Sequence, residues 1–211
     1  MKKLATLVLI SCFLFAGNSL FSQKLKTGDL SVLKGQKTVN LQFDYSKMEV
    51  GKFANEEDYI KKGIDDRNKK KEGSGDAWAA KWRADKAEHY QPAFIEAFNK
   101  KSDDCGFDVK ENATDAKYTL IIRTLFLEQG VEAIVGSKPS EIDLVIDVVE
   151  TTAPDKVIAT IDAEKNKGSS TRMTVNGVPV SKETYDTGLR IAEAYETAGK
   201  NVAKFVCKQI K

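Results

Sequence analysis

Tyr118-Thr119-Leu120-Ile121-Ile122-Arg123-Thr124-Leu125-Phe126-Leu127-Glu128 is the stretch that decides the fold. Read at period two, Leu120, Ile122 and Phe126 share one face, and Ile121, Leu125 and Leu127 share the other. A strand that is apolar on both faces belongs in the middle of a sheet, with each side at least partly covered. Next comes a loop over 129–140 with Gly130, Gly136 and Pro139. In the following strand Ile142, Leu144, Ile146 and Val148 form the inward face, and Asp143, Val145, Asp147 and Val149 face the other way. Pro154-Asp155 turns the chain, and Val157, Ala159, Ile161 and Ala163 alternate along a third strand. Turn-length links between successive strands predict antiparallel pairing.

Upstream, Val39, Leu41, Phe43 and Tyr45 alternate with Asn40, Gln42 and Asp44 and predict the first strand, whereas residues 46–60 are ambiguous. The charge-dense run 61–76 reads as a solvated loop or frayed helix, or as a basic docking loop. Asp76 is a candidate N-cap for a helix carrying Trp78 and Trp82 one turn apart. Pro92 interrupts the pattern, and Phe94, Ile95 and Phe98 resume it, which predicts one kinked helix or two short ones. Residues 107–110 read as a short strand. Asn176-Gly177 signals a hairpin, with Pro179 holding its second arm to an edge. Ser181 is a candidate cap for a long last helix, whose stripe is Leu189, Ala192, Tyr195, Val202, Val206 and Ile210. Gly199 suits a close backbone approach in that helix. The predicted class is α+β: a mainly antiparallel sheet of about five strands, with the long C-terminal helix and the kinked helix on one face.

The amino terminus has the three-part layout of a secretory signal peptide: Lys2 and Lys3, an apolar run from Leu4 to Ala16, then small and polar residues to Gln23. We place cleavage after Ser22, with a cut nearer Gly17 or Asn18 as the alternative. The predicted organisation is signal peptide 1–22, polar leader 23–36 and a single domain 37–211. Leu9-Ile10-Ser11-Cys12 resembles a lipobox, which would make Cys12 a lipid anchor and the protein an outer-membrane lipoprotein. However, Phe13, Leu14 and Phe15 continue the apolar run where a lipoprotein usually turns polar. Exported soluble protein, periplasmic or secreted, is the leading expectation, with no transmembrane segment.

The 211-residue precursor carries 33 basic and 31 acidic side chains. Without residues 1–22 the counts are equal, so no net basicity points to nucleic acid. Cys105 and Cys207 remain; they form a disulfide in an oxidising compartment or stay as two buried thiols. The single His89 excludes any site that needs two imidazoles.

Chemistry is sparse. His89 lacks a nucleophile-elbow serine or cysteine partner. Asp143 and Asp147 stand about 13 Å apart along a strand, beyond the reach of one metal ion or a glycosidase pair. The loop from Gly130 to Gly136 matches no phosphate-binding pattern; its apolar centre suits a hairpin tip that touches a partner. No cofactor, metal or catalytic residue is predicted. Trp78 and Trp82 are candidates for stacking a ligand, against packing into the core. Ile121, Leu125, Leu127, Val145 and Val149 are the candidate interface, provided that residues 46–75 do not cover that face.

The run Ala116-Lys117-Tyr118-Thr119-Leu120-Ile121-Ile122, the glycine-containing loop, Ile142-Asp143-Leu144-Val145-Ile146-Asp147-Val148-Val149 and Val157-Ile158-Ala159-Thr160-Ile161 resemble uncharacterised exported bacterial proteins. Their domain is similar to penicillin-binding-protein activator lipoproteins and to the N-terminal domain of the translocation protein TolB. The final helix with Ala192, Gly199 and Ala203 fits that layout. The resemblance implies an envelope α+β domain with a non-catalytic, protein-binding role; none of the family's functional residues maps onto this chain. The expected function is therefore that of an exported, non-enzymatic envelope protein that binds a protein partner or itself as a homodimer. A carrier of an apolar molecule or sugar is the alternative, and a hydrolase comes third.

Overall fold

The computed structural model describes residues 23–131, 138–169, 174–175, 178–179 and 186–211. The signal-peptide reading, Cys12, the loop centre 132–137, Asn176-Gly177 and Ser181 lie outside the described residues. In chain order the elements are β1 (Gln23–Gly28), a 3-10 turn (Ser31–Leu33), β2 (Thr38–Asp44), β3 (Glu49–Val50), α1 (Glu56–Asn68), α2 (Ser74–Asp85), a π-helical segment (Lys86–Tyr90), α3 (Gln91–Ser102), a second 3-10 turn (Asp103–Cys105), β4 (Asp108–Glu111), β5 (Tyr118–Glu128), β6 (Glu141–Glu150), β7 (Ala153–Lys167), the short pair β8 (Thr174–Val175) and β9 (Val178–Pro179), and α4 (Thr187–Ile210).

The class is α+β, but the sheet is larger than expected and mixed. Seven strands pair in the order β1-β7-β6-β5-β2-β4, with β3 also on β5. β7, β6 and β5 are antiparallel neighbours joined by direct links, and β1 adds antiparallel to β7 from far away in the sequence. β2 is parallel to both β4 and β5, and β3 is parallel to β5. The physical reason lies between β2 and β4: that connection is three helices long, and a crossover of that length returns the chain to the same end of the sheet. The link 112–117 then carries the chain from β4 over β2 to β5. Asn40 holds it there, its Oδ1 accepting from the Ala113 N–H at 2.9 Å and its Nδ2 donating to Thr119 at 3.1 Å.

The expected polar leader contains a strand of this sheet. In β1, Gln23 and Leu25 turn inward while Lys24 and Lys26 face solvent, so the period-two pattern exists but only Leu25 is apolar. Lysines suit an edge strand because they discourage pairing with another chain. The opposite edge is shielded differently: Asn99 of α3 accepts from the Val109 N–H at 2.8 Å and donates to its carbonyl at 3.0 Å. The side chain thereby takes up the outward hydrogen bonds of β4.

The core lies between the sheet and the helices on one face. Leu120, Ile122, Leu144, Ile146, Val148, Ala159 and Ile161 meet Phe94, Phe98, Ile191, Tyr195, Val202 and Val206. The expected break at Pro92 lies one turn earlier. Lys86–Tyr90 is π-helical, and Pro92 sits within the first turn of α3, where a missing N–H is harmless. The extra residue of the π turn aims Tyr90 inward, where it stacks on Tyr195 at 5.2 Å between ring centroids. Asp76 is not the cap of α2. Gly73 precedes the helix with φ +75°, and Asp76 lies in its first turn.

α4 begins at Asp186, whose Oδ1 accepts from the Gly188 and Leu189 N–H groups at 2.8 and 3.3 Å. Burial alone would raise this carboxyl, but the Leu189 N–H and the Lys81 ammonium outweigh it and hold the group below its ordinary value. Further along, Gly199 packs on the Phe94 carbonyl so closely that a Cβ would collide with it. The 3-10 turn that follows α3 is also tied covalently to α4. Cys105 and Cys207 form a disulfide with Cα atoms 5.2 Å apart, closing a separation of 102 residues.

Three outcomes follow from this packing. Gly199→Ala should lower stability by about 1–3 kcal/mol through overpacking, read as a lower urea midpoint at unchanged slope. Reducing the disulfide, or replacing both cysteines with serine, should cost about 2–5 kcal/mol in the same assay. Asp186→Ala should cost about 1 kcal/mol at neutral pH. Because the folded-state carboxyl titrates below its unfolded value, that deficit against wild type should shrink as pH falls through the carboxylate range.

Candidate functional site

The site is a groove at the corner where β3 meets α1. After β3 the backbone makes a tight turn: the Val50 N–H donates to the Phe53 carbonyl at 3.0 Å, and the Phe53 N–H donates back at 2.9 Å. Gly51 has φ +56°, a conformation that glycine adopts without strain, and its N–H donates to the Leu127 carbonyl at 2.9 Å. The turn is therefore seated on β5 and presents Phe53. Asn55 then caps α1, its Oδ1 accepting from the Asp58 N–H at 2.8 Å. The cap sets the helix phase so that Tyr59 turns back onto Phe53, with ring centroids 5.6 Å apart and planes at 71°.

Val50, Gly51, Lys52, Phe53, Tyr59, Glu128 and Gln129 line a groove of about 470 Å3. Its floor is aromatic and its rim is polar. The Tyr59 hydroxyl donates to Gln129 Oε1 at 2.7 Å, which fixes the ring. Burial pushes the Tyr59 phenol above its ordinary value, partly offset by the Arg67 guanidinium. Lys52 extends over Phe53 at 5.8 Å, and Glu128 pairs with Lys138 at 3.0 Å. Two residues beyond Gln129, Val131 is 54% exposed at the foot of the β5–β6 hairpin. This groove can hold an apolar or aromatic group under a rim that offers one cation, one anion and an amide.

The candidate stacking pair Trp78 and Trp82 forms the wall behind this groove. Trp82 is 2% exposed, and its indole N–H donates to Glu56 Oε1 at 2.7 Å. Lys86 pairs with the other Glu56 oxygen at 2.6 Å. The Trp78 ring packs on Gly63 and lies 4.0 Å from the Arg67 guanidinium. Tyr59 contacts both indoles, at 5.6 and 4.8 Å between centroids. The tryptophans therefore position Tyr59. Both also line a cavity of about 190 Å3, together with Arg67, Lys81, Asp85 and Asp186.

The five candidate interface residues do not form one patch. β5 carries a bulge between Thr124 and Phe126, which reverses its later side chains. Leu127 thus enters the helix-side core at 0% exposure, and Leu125 stands at the bulge, 37% exposed. Ile121 and Val149 are buried on the opposite face, and Val145 is half-buried. That face is largely polar. Arg123 pairs with Asp147 and with Asp44, Thr160 donates to Asp147 at 2.7 Å, and Lys26 reaches Asp162 at 3.4 Å. The 112–117 link runs over it at Asn40, whereas Met48, Val50 and Ile60 of the 46–75 stretch belong to the helix-side core.

Asp143 and Asp147 have separate partners, since Asp143 accepts from the Lys165 N–H at 2.6 Å. His89 lies 3.6 Å from the buried Asp85. With Glu88 these residues bring three potential ligand atoms within 4.8 Å of one another, but the Lys81 ammonium already occupies the Asp85 carboxylate at 2.8 Å. Among the described residues, no helix is long and apolar enough to cross a membrane.

Sequence reading missed Phe53 and Tyr59 because residues 46–60 show no sustained period. The available signal was local: Asn55 followed by Glu56, Glu57 and Asp58 is a helix start, and it places the two aromatics on either side of a cap.

No family model and no curated protein matches the chain. A solved structure of a protein described as a neuraminyllactose-binding hemagglutinin homolog, from Helicobacter pylori, aligns over 84% of this chain and 87% of its own, with 14% identity and a TM-score of 0.31.

Proposed function

We propose that this is an exported, non-enzymatic envelope protein that binds a protein partner at the β3–α1 corner. The observation that carries the reading is the aromatic floor of Phe53 and Tyr59 inside a groove of about 470 Å3, with the exposed Val131 two residues beyond its Gln129. Partner-binding surfaces combine buried aromatic anchors with a polar rim, and this corner has that make-up. The rim charges of Lys52 and Glu128 supply orientation rather than strength. The edges of the sheet support the same placement, because lysines on β1 and Asn99 on β4 make strand addition there unfavourable. The neutral balance of the chain without residues 1–22 is consistent with a protein partner rather than a polyanion.

The test is capture from envelope extract with immobilised processed protein. Phe53→Ser combined with Val131→Lys should weaken retention of the captured partner about tenfold or more, the effect of losing one anchor worth roughly 2 kcal/mol. An Arg123→Gln control on the opposite sheet face should leave retention unchanged. Equal retention by wild type and the groove variant would overturn the reading.

A second reading has one observation in its favour: the groove volume falls within the roughly 300–1,000 Å3 range of small-molecule sites. If the protein is a carrier, a neutral oligosaccharide or apolar ligand should raise the melting temperature of wild type but not of Phe53→Ala. No shift across such a panel leaves the partner reading alone.

A further inference from the structure

Gln23, the residue that follows the expected cleavage site, is a buried member of the sheet. Gln23 follows Ser22 directly in the sequence and is paired with Ala163 of β7. The residue is only 4% exposed. The Nε2 group donates to Asn166 Oδ1 at 3.1 Å, and Asn201 of α4 donates to the same oxygen at 3.4 Å. Asn166 is itself held, donating to the Ala163 carbonyl at 2.9 Å. This arrangement depends on an irregularity in β7: between Ala163 and Asn166 the register with β6 shifts, and Lys165 adopts φ +55°. The shift turns a polar side chain into the helix-side layer, where it meets Gln23.

An amino-terminal glutamine has a characteristic fate. Its α-amine attacks its own side-chain Cδ, a C–N bond forms, the bond to Nε2 breaks, and that nitrogen leaves as ammonia. The product is a five-membered lactam that has lost the charge of the amine. Ring closure requires the amide to curl back onto its own backbone nitrogen. In β1 the backbone is extended, and the amide points away into the contact with Asn166.

Resting on the export reading above, we propose that Gln23 is the first residue of the processed chain and that its seat on Asn166 blocks this cyclisation while the protein is folded. The α-amine of Gln23 thereby stays uncyclised and keeps its charge. The new terminus is a structural part of the fold rather than a frayed end.

Intact-mass spectrometry tests both halves. The full precursor is expressed in a secreting bacterium, and the processed protein is incubated in native buffer and in urea with reductant. The expected result is a chain that begins at Gln23 with its amide intact. Loss of one ammonia should be about tenfold or more slower in native buffer than in urea, because the amide reacts only from locally opened states. Asn166→Ala, checked for folding by circular dichroism, should cyclise faster than wild type in native buffer. If that variant does not fold, the comparison of native and unfolded wild type decides. A chain starting at another residue, or at a lipidated Cys12, overturns the processing assignment along with the inference. A chain starting at Gln23 that cyclises equally fast folded and unfolded overturns the inference and leaves the export reading intact.

Discussion

The close contact between α3 and α4 is the constraint on which the rest of the structure depends. Gly199 lets α4 rest on the backbone of α3 at Phe94, and the Cys105–Cys207 disulfide closes the far end of the same pair. Two helices held this closely form a slab wide enough to cover one face of the sheet. Tyr195 projects from that slab to bond Thr124 of β5 at 2.7 Å and to stack on Tyr90. The π turn that delivers Tyr90 also orients α2, which carries the tryptophans, and the tryptophans position Tyr59. The groove at the β3–α1 corner is thus set by packing that starts more than one helix away.

The two faces of the sheet do different work. The helix-side face is apolar and supplies most of the driving force for folding, as burial of large side chains does in any domain of this size. The other face is held by ion pairs and hydrogen bonds among Asp44, Arg123, Asp147 and Thr160, which compete with water and contribute less. An apolar interface there would need the second-face residues of β5 and β6 to lie together. The bulge at Leu125 prevents this by sending Leu127 to the core. At the end of the sheet β5 runs on past β2, and the turn after β3 is seated on it and presents Phe53.

Much of this was legible in the sequence where a regular period ran long enough. β2, β5, β6, β7 and α4 were all readable, because alternation or helical spacing persisted over several residues. β1 was hidden, since Gln23-Lys24-Leu25-Lys26 has a single apolar residue and an edge strand needs few. Parallel pairing was hidden because pairing direction depends on the path of the crossover and not on the pattern within a strand. The groove was hidden because its parts come from a turn, a helix start and a strand end that are remote in sequence. The tryptophan pair was visible, but whether its faces were free depended on Gly63, Arg67 and Glu56, which only the packed structure brings to it.

The sequence by itself determined an α+β class, a central β5, an amphipathic last helix with a glycine at the crossing point, and two cysteines whose pairing would be unique. These are local or compositional properties, carried by side-chain periodicity, by the absence of a Cβ at Gly199 and by counting. The tertiary structure decided the mixed sheet of seven strands, the bulge that dissolves the expected interface, the aromatic corner, and the contact between Gln23 and Asn166. Each of these depends on which distant segments share a volume, and a one-dimensional pattern of polarity does not encode that.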